Sequence, residues 1–242
     1  FNGMGFLEIL DLIFLQERLF AKTSNVTAVL KEFWNHPTWQ HGELAIAVLE
    51  TILMAFLGTL TATLVGLPLA FVAAENLNPF GILRFGIRRV FDFLRGIDYL
   101  IWSLIFIRSF GLGPLTGALA IAFTDTGTLG KLFTEALENT DSKQKEGVQA
   151  TGASSIKQFR FGVIPQILPV LASQILYYFE SNMRSATVIG ALGAGGIGLM
   201  LVQTMRTRRD WENSLYIIVV TILIVIIADV ISSLLRKKLI SG

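Results

Sequence analysis

The stretch TILMAFLGTLTATLVGLPLAFVAA, Thr51–Ala74, decides the class of this chain, because it holds 24 residues without a single charge. A helix needs roughly 20 apolar residues to cross the hydrocarbon core of a bilayer. The whole chain of 242 residues is 52% hydrophobic and 16% charged, whereas about a quarter of the residues are charged in a typical soluble domain. The sequence therefore predicts a membrane protein.

Similar apolar runs follow along the chain and predict an all-α, polytopic membrane helical bundle, since a helix satisfies its own backbone hydrogen bonds in lipid. The expected spans cover about residues 44–74, 97–109, 115–137, 162–179 and 214–235. Residues 1–41 instead mix apolar and charged positions and include Trp34 and Trp39, which is typical of an interfacial segment. We expect an interfacial, periplasmic segment at 1–41 and a membrane domain at 42–240.

The placement of lysine and arginine predicts the orientation, because cytoplasmic loops are enriched in these residues. Segments 84–95 and 141–160 and the tail at 236–238 carry most of them, so we place these segments in the cytoplasm. The loop at about 138–161 is then cytoplasmic, and the glycine-rich stretch at 185–205 must begin and end on the outer side. Because that stretch is too short to cross twice, we expect it to be re-entrant.

The residue content argues against several kinds of site. The chain has no cysteine, which excludes disulfides, thiolate metal sites and cysteine nucleophiles. His36 and His41 have no carboxylate support and predict no metal site. The pattern Gly193-x-Gly195-x-x-Gly198 matches a dinucleotide fingerprint, but no strand precedes it, and no G-x-x-x-x-G-K-[ST] motif is present. We therefore expect neither an enzyme nor a nucleotide-binding subunit, and no cofactor of its own.

A polar motif, FESNMRSAT at 179–187, follows the fourth apolar run. Ionisable residues next to hydrocarbon are costly and usually face a cavity or a partner. Arg184 and Glu180 are four residues apart and can pair on one helix face. Alternatively, they belong to an electropositive mouth for an anion, since a guanidinium binds phosphate or phosphonate oxygens through two hydrogen bonds. The sequence leaves both interpretations open, while the five glycines between 190 and 198 favour a gate element over plain packing.

The stretch EGVQATGASSIKQFRFGVIP, residues 146–165, is small and polar in its first half although it lies between two apolar runs. Connections between helices of a bundle are usually two to eight residues long, whereas the loop at 138–161 has about 24. Small side chains allow another protein to approach closely. The residues leave a plain connector open, while the length and the small side chains favour a surface that another protein approaches.

Glu146, Gly152 and Pro165 follow one another much as in the EAA loop of ABC-importer membrane subunits, with a Gly-Val pair in place of the two alanines. Together with FESNMRSATVIGALGAGGIG and AAENLNPF, this loop resembles the phosphonate-import branch of the binding-protein-dependent permeases. The likeness covers about residues 44–238. It implies a type I ABC importer permease (MetI-like) fold and a multi-pass subunit of the bacterial cytoplasmic (inner) membrane.

The resemblance also implies roles for three groups of residues. The docking, or ATPase-coupling, helix would contain Glu146, Gly147, Ala150, Gly152 and Ala153. The substrate path and its gate would contain Glu180, Ser181, Asn182, Arg184, Ser185, Thr187, Gly193, Gly195 and Gly196. A binding protein would contact Arg206, Arg208 and Arg209, which the orientation places outside, against the usual charge distribution.

The partners implied by the resemblance are an ABC ATPase subunit dimer that binds ATP and Mg²⁺, a periplasmic or lipid-anchored phosphonate-binding protein, a second permease copy and membrane lipid, but no nucleic acid. The expected function is ATP-driven import of phosphonate, phosphite or a phosphate-like oxyanion by alternating access. A permease for another small solute, such as methionine or a sulfonate, is an alternative. An ion channel is a further alternative, although a channel would not need the long docking stretch.

Overall fold

The computed structural model describes residues 41–208 and 211–241, and these ranges are helical with no β-strand. Their α-helices are α1 His41–Ala73, α2 Gly81–Gly96, α3 Tyr99–Phe110, α4 Pro114–Glu138, α5 Ser142–Ala150, α6 Ser155–Gln158, α7 Ile164–Ile189, α8 Gly196–Gln203 and α9 Trp211–Ser241. Three π-helical turns lie at Phe159–Val163, Gly190–Ala194 and Thr204–Arg208. The segment predicted to be interfacial, 1–41, lies outside the described residues except for His41.

Three stretches of the described chain are helical, long and apolar enough to cross a membrane: His41–Ala73, Ser155–Ala194 and Asn213–Lys238. The 25-residue α4 packs against α1, α2, α3 and α7, so it forms the centre of the bundle. The predicted all-α, multi-span architecture is confirmed.

Small residues allow α1 and α4 to lie close together. They recur every three or four positions on the buried face of α1: Ala55, Gly58, Thr59, Ala62, Gly66, Ala70 and Ala73. A methyl group at Gly58 would lie 2.6 Å from Cγ2 of Ile121 on α4, which is closer than any van der Waals contact. Because lipid tails are as apolar as leucine, helix packing in a bilayer depends on such close backbone approach.

Two clusters of buried apolar side chains fill the bundle. One joins α1, α4 and the first half of α7 and includes Phe133 and Ile167. The other joins the opposite ends of the same helices and includes Met54, Ile121 and Met183. The buried polar groups described below lie where the two clusters meet.

Residues 81–96 form the helix α2, whereas the sequence predicts a cytoplasmic loop at 84–95. The four arginines in this segment obscure an amphipathic helix whose apolar positions, among them Ile82 and Phe85, recur at helical spacing. The backbone becomes extended at Ile97 and Asp98. The Asp98 carboxylate then accepts a hydrogen bond from the Leu100 amide at 2.8 Å and caps α3.

The helix α7 continues to Ile189, about ten residues past the predicted end of the fourth span at Phe179. The polar motif at 179–187 therefore lies inside a helix, and its predicted position at a span end is wrong. The hydroxyls of Ser185 and Thr187 donate to carbonyls one turn earlier, so these polar side chains are compatible with a continuous helix. The α-helix ends only where the glycine run begins.

Candidate coupling surface and translocation path

The stretch predicted to dock another protein forms the exposed helix α5. None of its nine residues is buried, and Glu146 has no ion pair with any described residue. Asp141 caps the helix by accepting a hydrogen bond from the Lys143 amide at 3.0 Å. Gly152 then reverses the chain with a φ of +77°, a conformation that glycine adopts without a steric penalty.

Apolar side chains extend this exposed surface beyond α5. Ile156 on α6 is 81% exposed, and Phe161 in the following π-helical turn is also exposed. We call the segment 142–161 with these side chains the coupling surface. Its small residues were predicted to dock a partner, whereas Ile156 and Phe161 were not singled out.

Gln166, in the first turn of α7, ties the coupling surface to that helix. Its side-chain amide donates to the carbonyls of Asp141 at 3.2 Å and Gly162 at 2.5 Å, and its side-chain oxygen accepts from the Asp141 amide at 2.9 Å. A methyl group at Gly162 would lie 3.0 Å from Cα of Lys145. The cap of α5 is thus held directly against the beginning of α7.

The motif AAENLNPF, residues 73–80, closes the end of α1 against α4. The Asn76 side chain donates to the Leu137 carbonyl at 2.7 Å, and the Asn78 side chain donates to the Val72 carbonyl at 2.7 Å. The last carbonyls of a helix have no partner within the helix, so these amides satisfy them. The motif joins the ends of α1 and α4 just before the coupling surface begins.

At the other end of α7, the glycine-rich segment turns the chain sharply. Gly193, Gly195 and Gly196 have φ angles of +115°, +93° and +66°. The amide of Gly196 donates to the Glu50 carboxylate at 2.7 Å, and the amide of Ile197 donates to the Thr51 hydroxyl at 3.0 Å. This pair of contacts, the α1–α8 latch, holds the first turn of α8 against α1.

The helix α8 has eight residues, or about 12 Å at 1.5 Å per residue. This length is far less than the hydrocarbon thickness of about 30 Å. The glycine-rich segment therefore does not cross twice, as the sequence predicts.

A buried polar contact joins three helices at the middle of the bundle. The side-chain amide of Asn182 on α7 donates both to the carboxyl group of Asp125 on α4 and to the hydroxyl of Thr59 on α1, the latter at 2.8 Å. All three residues are buried. Asn182, predicted to lie on the substrate path, points into the core of its own chain in this structure.

Glu180 lies between two arginines from different helices. Its carboxylate accepts from Arg184, one turn further along α7, at 3.0 Å, and from Arg236 of α9 at 3.2 Å. Arg236 also stacks over Tyr177, with 5.7 Å from its guanidinium carbon to the ring centroid. The ion pair considered for Arg184 and Glu180 is therefore present. The triad carries one positive charge in excess, and the Arg184 side chain is 50% exposed.

One exposed face of α7 carries polar side chains within a helix that is apolar enough to cross a membrane. Tyr177, Arg184 and Val188 are exposed and Ser181 is partly exposed, at spacings of four, three and four residues along one helix face. We call this face the α7 stripe. In the apolar part of α9, Asp229 is the one exposed charged residue. The exposed large residues there are aliphatic: Ile218, Val219, Ile222, Leu223, Ile226, Ile227, Val230, Ile231, Leu234 and Leu235. The aliphatic face suits lipid, whereas the α7 stripe does not.

The remaining predicted site residues lie at the outer end. Ser185 and Thr187 are partly buried, and the side chain of Arg206 is exposed. The side chain of Arg208 and all of Arg209 lie outside the described residues.

Four residues of the site were not assigned to it from the sequence: Glu50, Thr51, Asp125 and Arg236. An acidic residue in an apolar run is a usable signal, and it marks Glu50 and Asp125. Thr51 and Arg236 carry no such signal, because their partners lie 146 and 56 residues away in sequence.

The described helices form a membrane bundle with an exposed segment at 142–161 and a glycine-rich turn at 190–196. The chain matches the model of the family described as "Binding-protein-dependent transport system inner membrane component" over residues 66–241, and it belongs to this family. It is therefore a multi-pass protein of the inner membrane, as the sequence predicts.

Relatives within the family support the resemblance to phosphonate-type permeases. The chain is 32% identical to a phosphate-import permease of Mycolicibacterium smegmatis over 93% of its own length and 42% of that protein. It is 36% identical to a phosphite transport system permease of Stutzerimonas stutzeri over 78% of its length and 69% of that protein. The chain thus spans about two fifths of the mycobacterial relative and two thirds of the other.

Solved structures confirm the predicted type I ABC importer permease fold. The chain matches a permease chain of an inward-facing MetNI methionine ABC transporter with a TM-score of 0.70 and 18% identity, covering 81% of this chain and 96% of the other. It matches a chain of an alginate ABC importer with a TM-score of 0.67 and 11% identity, over 96% and 92% of the two chains. At these identities the likeness concerns the fold alone.

Proposed function

We propose that this chain is the membrane-spanning subunit of an ATP-driven importer for a phosphonate, phosphite or related phosphorus oxyanion. The observation that carries the proposal is the path of α7. The first turn of this helix contains Gln166, which contacts the coupling surface, the helix ends at the glycine-rich segment, and Arg184 lies in between. A single helix therefore links the surface that would receive force from an ATPase with the residues that would meet an anion.

A second copy of the chain completes the path in this proposal. The α7 stripe is polar and its arginine is half exposed, so contact with lipid would be costly. The α7 stripes of the two copies would face each other across a water-filled path. Both Arg184 guanidiniums would then remain solvated. The excess positive charge of each Glu180 triad then favours an anion in that path.

Arg184 suits a phosphorus oxyanion because its planar guanidinium can donate two parallel hydrogen bonds to neighbouring oxygens. The relatives at 32% and 36% identity carry the names of phosphate and phosphite permeases. A methionine permease of Haemophilus influenzae is less similar, at 24% identity. These facts favour the oxyanion over methionine as the substrate.

The mechanism follows from the contacts at the two ends of α7. ATP and Mg²⁺ bind to the partner ATPase dimer, whose closure moves the docked coupling surfaces. The Gln166 contacts pass this movement to α7. The α1–α8 latch holds the gate in one of two states, and a loaded binding protein at the outer face stabilises the other.

Uptake by proteoliposomes that contain the permease, its ATPase and its binding protein tests the proposal. We expect ATP-dependent uptake of methylphosphonate or phosphite, and no ATP-dependent uptake of methionine. Uptake of methionine alone would assign the chain to a different substrate class. Flux that does not require the ATPase would contradict the importer assignment and indicate a channel.

A further inference from the structure

The amphipathic helix α2 lies at the end of the bundle that carries the coupling surface. Arg88 donates to the carbonyl of Ala73, the last residue of α1, at 3.1 Å, and it pairs with Glu138, the last residue of α4. The coupling helix α5 begins only four residues after Glu138. Since lysine and arginine mark this end as cytoplasmic, the Arg88 end of α2 lies on the cytoplasmic side of the bundle, and the helix then runs along α4 as far as Gly127, which it meets near Arg95.

The charges between α2 and α4 leave an excess of cations. Asp92 is the shared partner of Arg89 at 3.1 Å, Arg95 at 3.6 Å and Lys131 at 3.6 Å. One carboxylate therefore faces three cations, each of them at least 40% exposed. We call these four residues the Asp92 cluster.

Two further carboxylates lie beside the Asp92 cluster. Glu138 pairs with Arg88. Glu135 lines a cavity of about 160 Å³ together with Arg89, Asp92 and Lys131 of the cluster, and it is not within ion-pair distance of a described cation. With Glu135 included, one positive charge is still unbalanced. The cluster thus has room and charge for one added anionic group.

The outward face of α2 exposes large apolar side chains. Ile82, Phe85, Arg89 and Phe93 follow one another at spacings of three, four and four residues, and all four are exposed, Ile82 to 92%. The Arg89 guanidinium lies 5.1 Å from the ring centroid of Phe85. Exposed aromatic residues on both sides of a cation are typical of a helix in the membrane interface.

We propose that the Asp92 cluster and the exposed face of α2 form a binding site for an anionic phospholipid of the inner leaflet. The headgroup phosphate is bound by Arg89, Arg95 and Lys131, and the acyl chains lie along Phe85 and Phe93. A soluble anion would satisfy the cations but would leave the aromatic residues in water. The combination of both features on one helix selects lipid, independently of which solute the permease transports.

Native mass spectrometry of the full chain, released from nanodiscs that contain equal amounts of phosphatidylglycerol and phosphatidylcholine, tests the site. We expect the wild-type protein to retain phosphatidylglycerol in preference to phosphatidylcholine. The ratio of the two retained lipids should fall at least tenfold in the double variant R89Q/R95Q. The charge-conserving variant R89K/R95K should keep most of the preference. The matched control is R84Q, since Arg84 lies on the same helix but pairs with Glu75 outside the cluster.

Thermal melting in phosphatidylcholine alone shows whether each variant is folded. Equal retention of both lipids by the wild type, or unchanged preference in R89Q/R95Q, would contradict the proposal. Loss of the bound lipid on addition of millimolar inorganic phosphate would show that the cluster is a site for a soluble anion. Protection of α2 by a second permease copy in a cross-linking experiment, without bound lipid, would assign the face to a protein contact instead.

Discussion

At the scale of single residues, the described part of the membrane domain is organised around a few polar side chains. Asn182 supplies both of its described hydrogen bonds to buried acceptors on other helices, one to Asp125 and one to Thr59. A buried acceptor that loses its donor cannot recover a partner from lipid. Loss of this amide would therefore leave both Asp125 and Thr59 without the donor that they share.

Replacing Asn182 with alanine is expected to lower the free energy of unfolding by about 1–3 kcal/mol, because two buried acceptors lose their donor. Denaturant titration in detergent micelles measures this change. The neighbouring Ser181→Ala is the control, since Ser181 lies on the exposed stripe, and it should change stability by less than about 0.5 kcal/mol. Equal stability of both variants would show that the Asn182 contacts contribute nothing.

Arg184→Lys is expected to slow oxyanion uptake about tenfold or more, because lysine keeps the charge but cannot donate two parallel hydrogen bonds. Uptake by proteoliposomes with a saturating amount of loaded binding protein measures the effect. Arg108→Lys, on an exposed arginine at the end of α3, is the matched control. If Arg184→Lys transports the oxyanion at the wild-type rate, Arg184 does not belong to the substrate path.

At the scale of helices and loops, the sequence predicts the elements that depend on local composition. The predicted runs at 44–74 and 115–137 correspond to α1 at 41–73 and α4 at 114–138, because continuous apolar stretches leave little choice in lipid. The helix α2 was not predicted, because a segment with four arginines has the composition of a cytoplasmic loop. The α1–α8 latch was missed because its partners are 146 residues apart, a distance at which no local pattern carries information.

The turn after α5 is sensitive to side chains. Gly152→Val places a β-branched residue at a φ of +77°, a strained conformation for such a residue, so the coupling surface should change shape while the bundle stays folded. We expect the variant to lose copurification with the ATPase. Gly86→Ala, at a helical position with no atom within 4 Å of the added methyl group, should copurify normally. Normal copurification of Gly152→Val would contradict the assignment of the docking surface.

The close packing of α1 against α4 leads to a prediction about the stability of the folded bundle. Gly58→Leu is expected to lower the free energy of unfolding by about 1–3 kcal/mol, because the added atoms collide with Ile121 across a packed interface. Introducing Ile121→Ala into the same chain should recover part of the loss. If the double variant is no more stable than Gly58→Leu, the steric explanation is wrong.

At the scale of the whole molecule, α7 is one of the helices that connect the two ends of the bundle. The coupling surface is bonded to its first turn, the Asn182 and Glu180 contacts lie in its second half, and the glycine-rich segment follows its end. The family resemblance in the sequence predicts a functional role for the residues at both ends. The side-chain contacts that fix α7 between α1, α4 and α9 come only from the folded structure, since each joins residues distant in the chain.

The short helix α3 affects how the molecule fits its bilayer. Its 12 residues extend about 18 Å, against a hydrocarbon core of about 30 Å. We expect ATP-dependent transport to slow in vesicles whose lipids have longer acyl chains, because thicker bilayers fit this side of the bundle less well. A transport rate that is independent of chain length between 14 and about 20 carbons would contradict this expectation.

The same mismatch has an elastic consequence. We expect lipid beside α3 to compress more than lipid beside the 33-residue α1, so that each molecule thins the bilayer mainly on one side. Two compressed regions cost less when they merge than when they stay apart. We therefore expect the bilayer to favour neighbouring copies that share one thin region, with their α3 sides facing each other, without any protein contact between them.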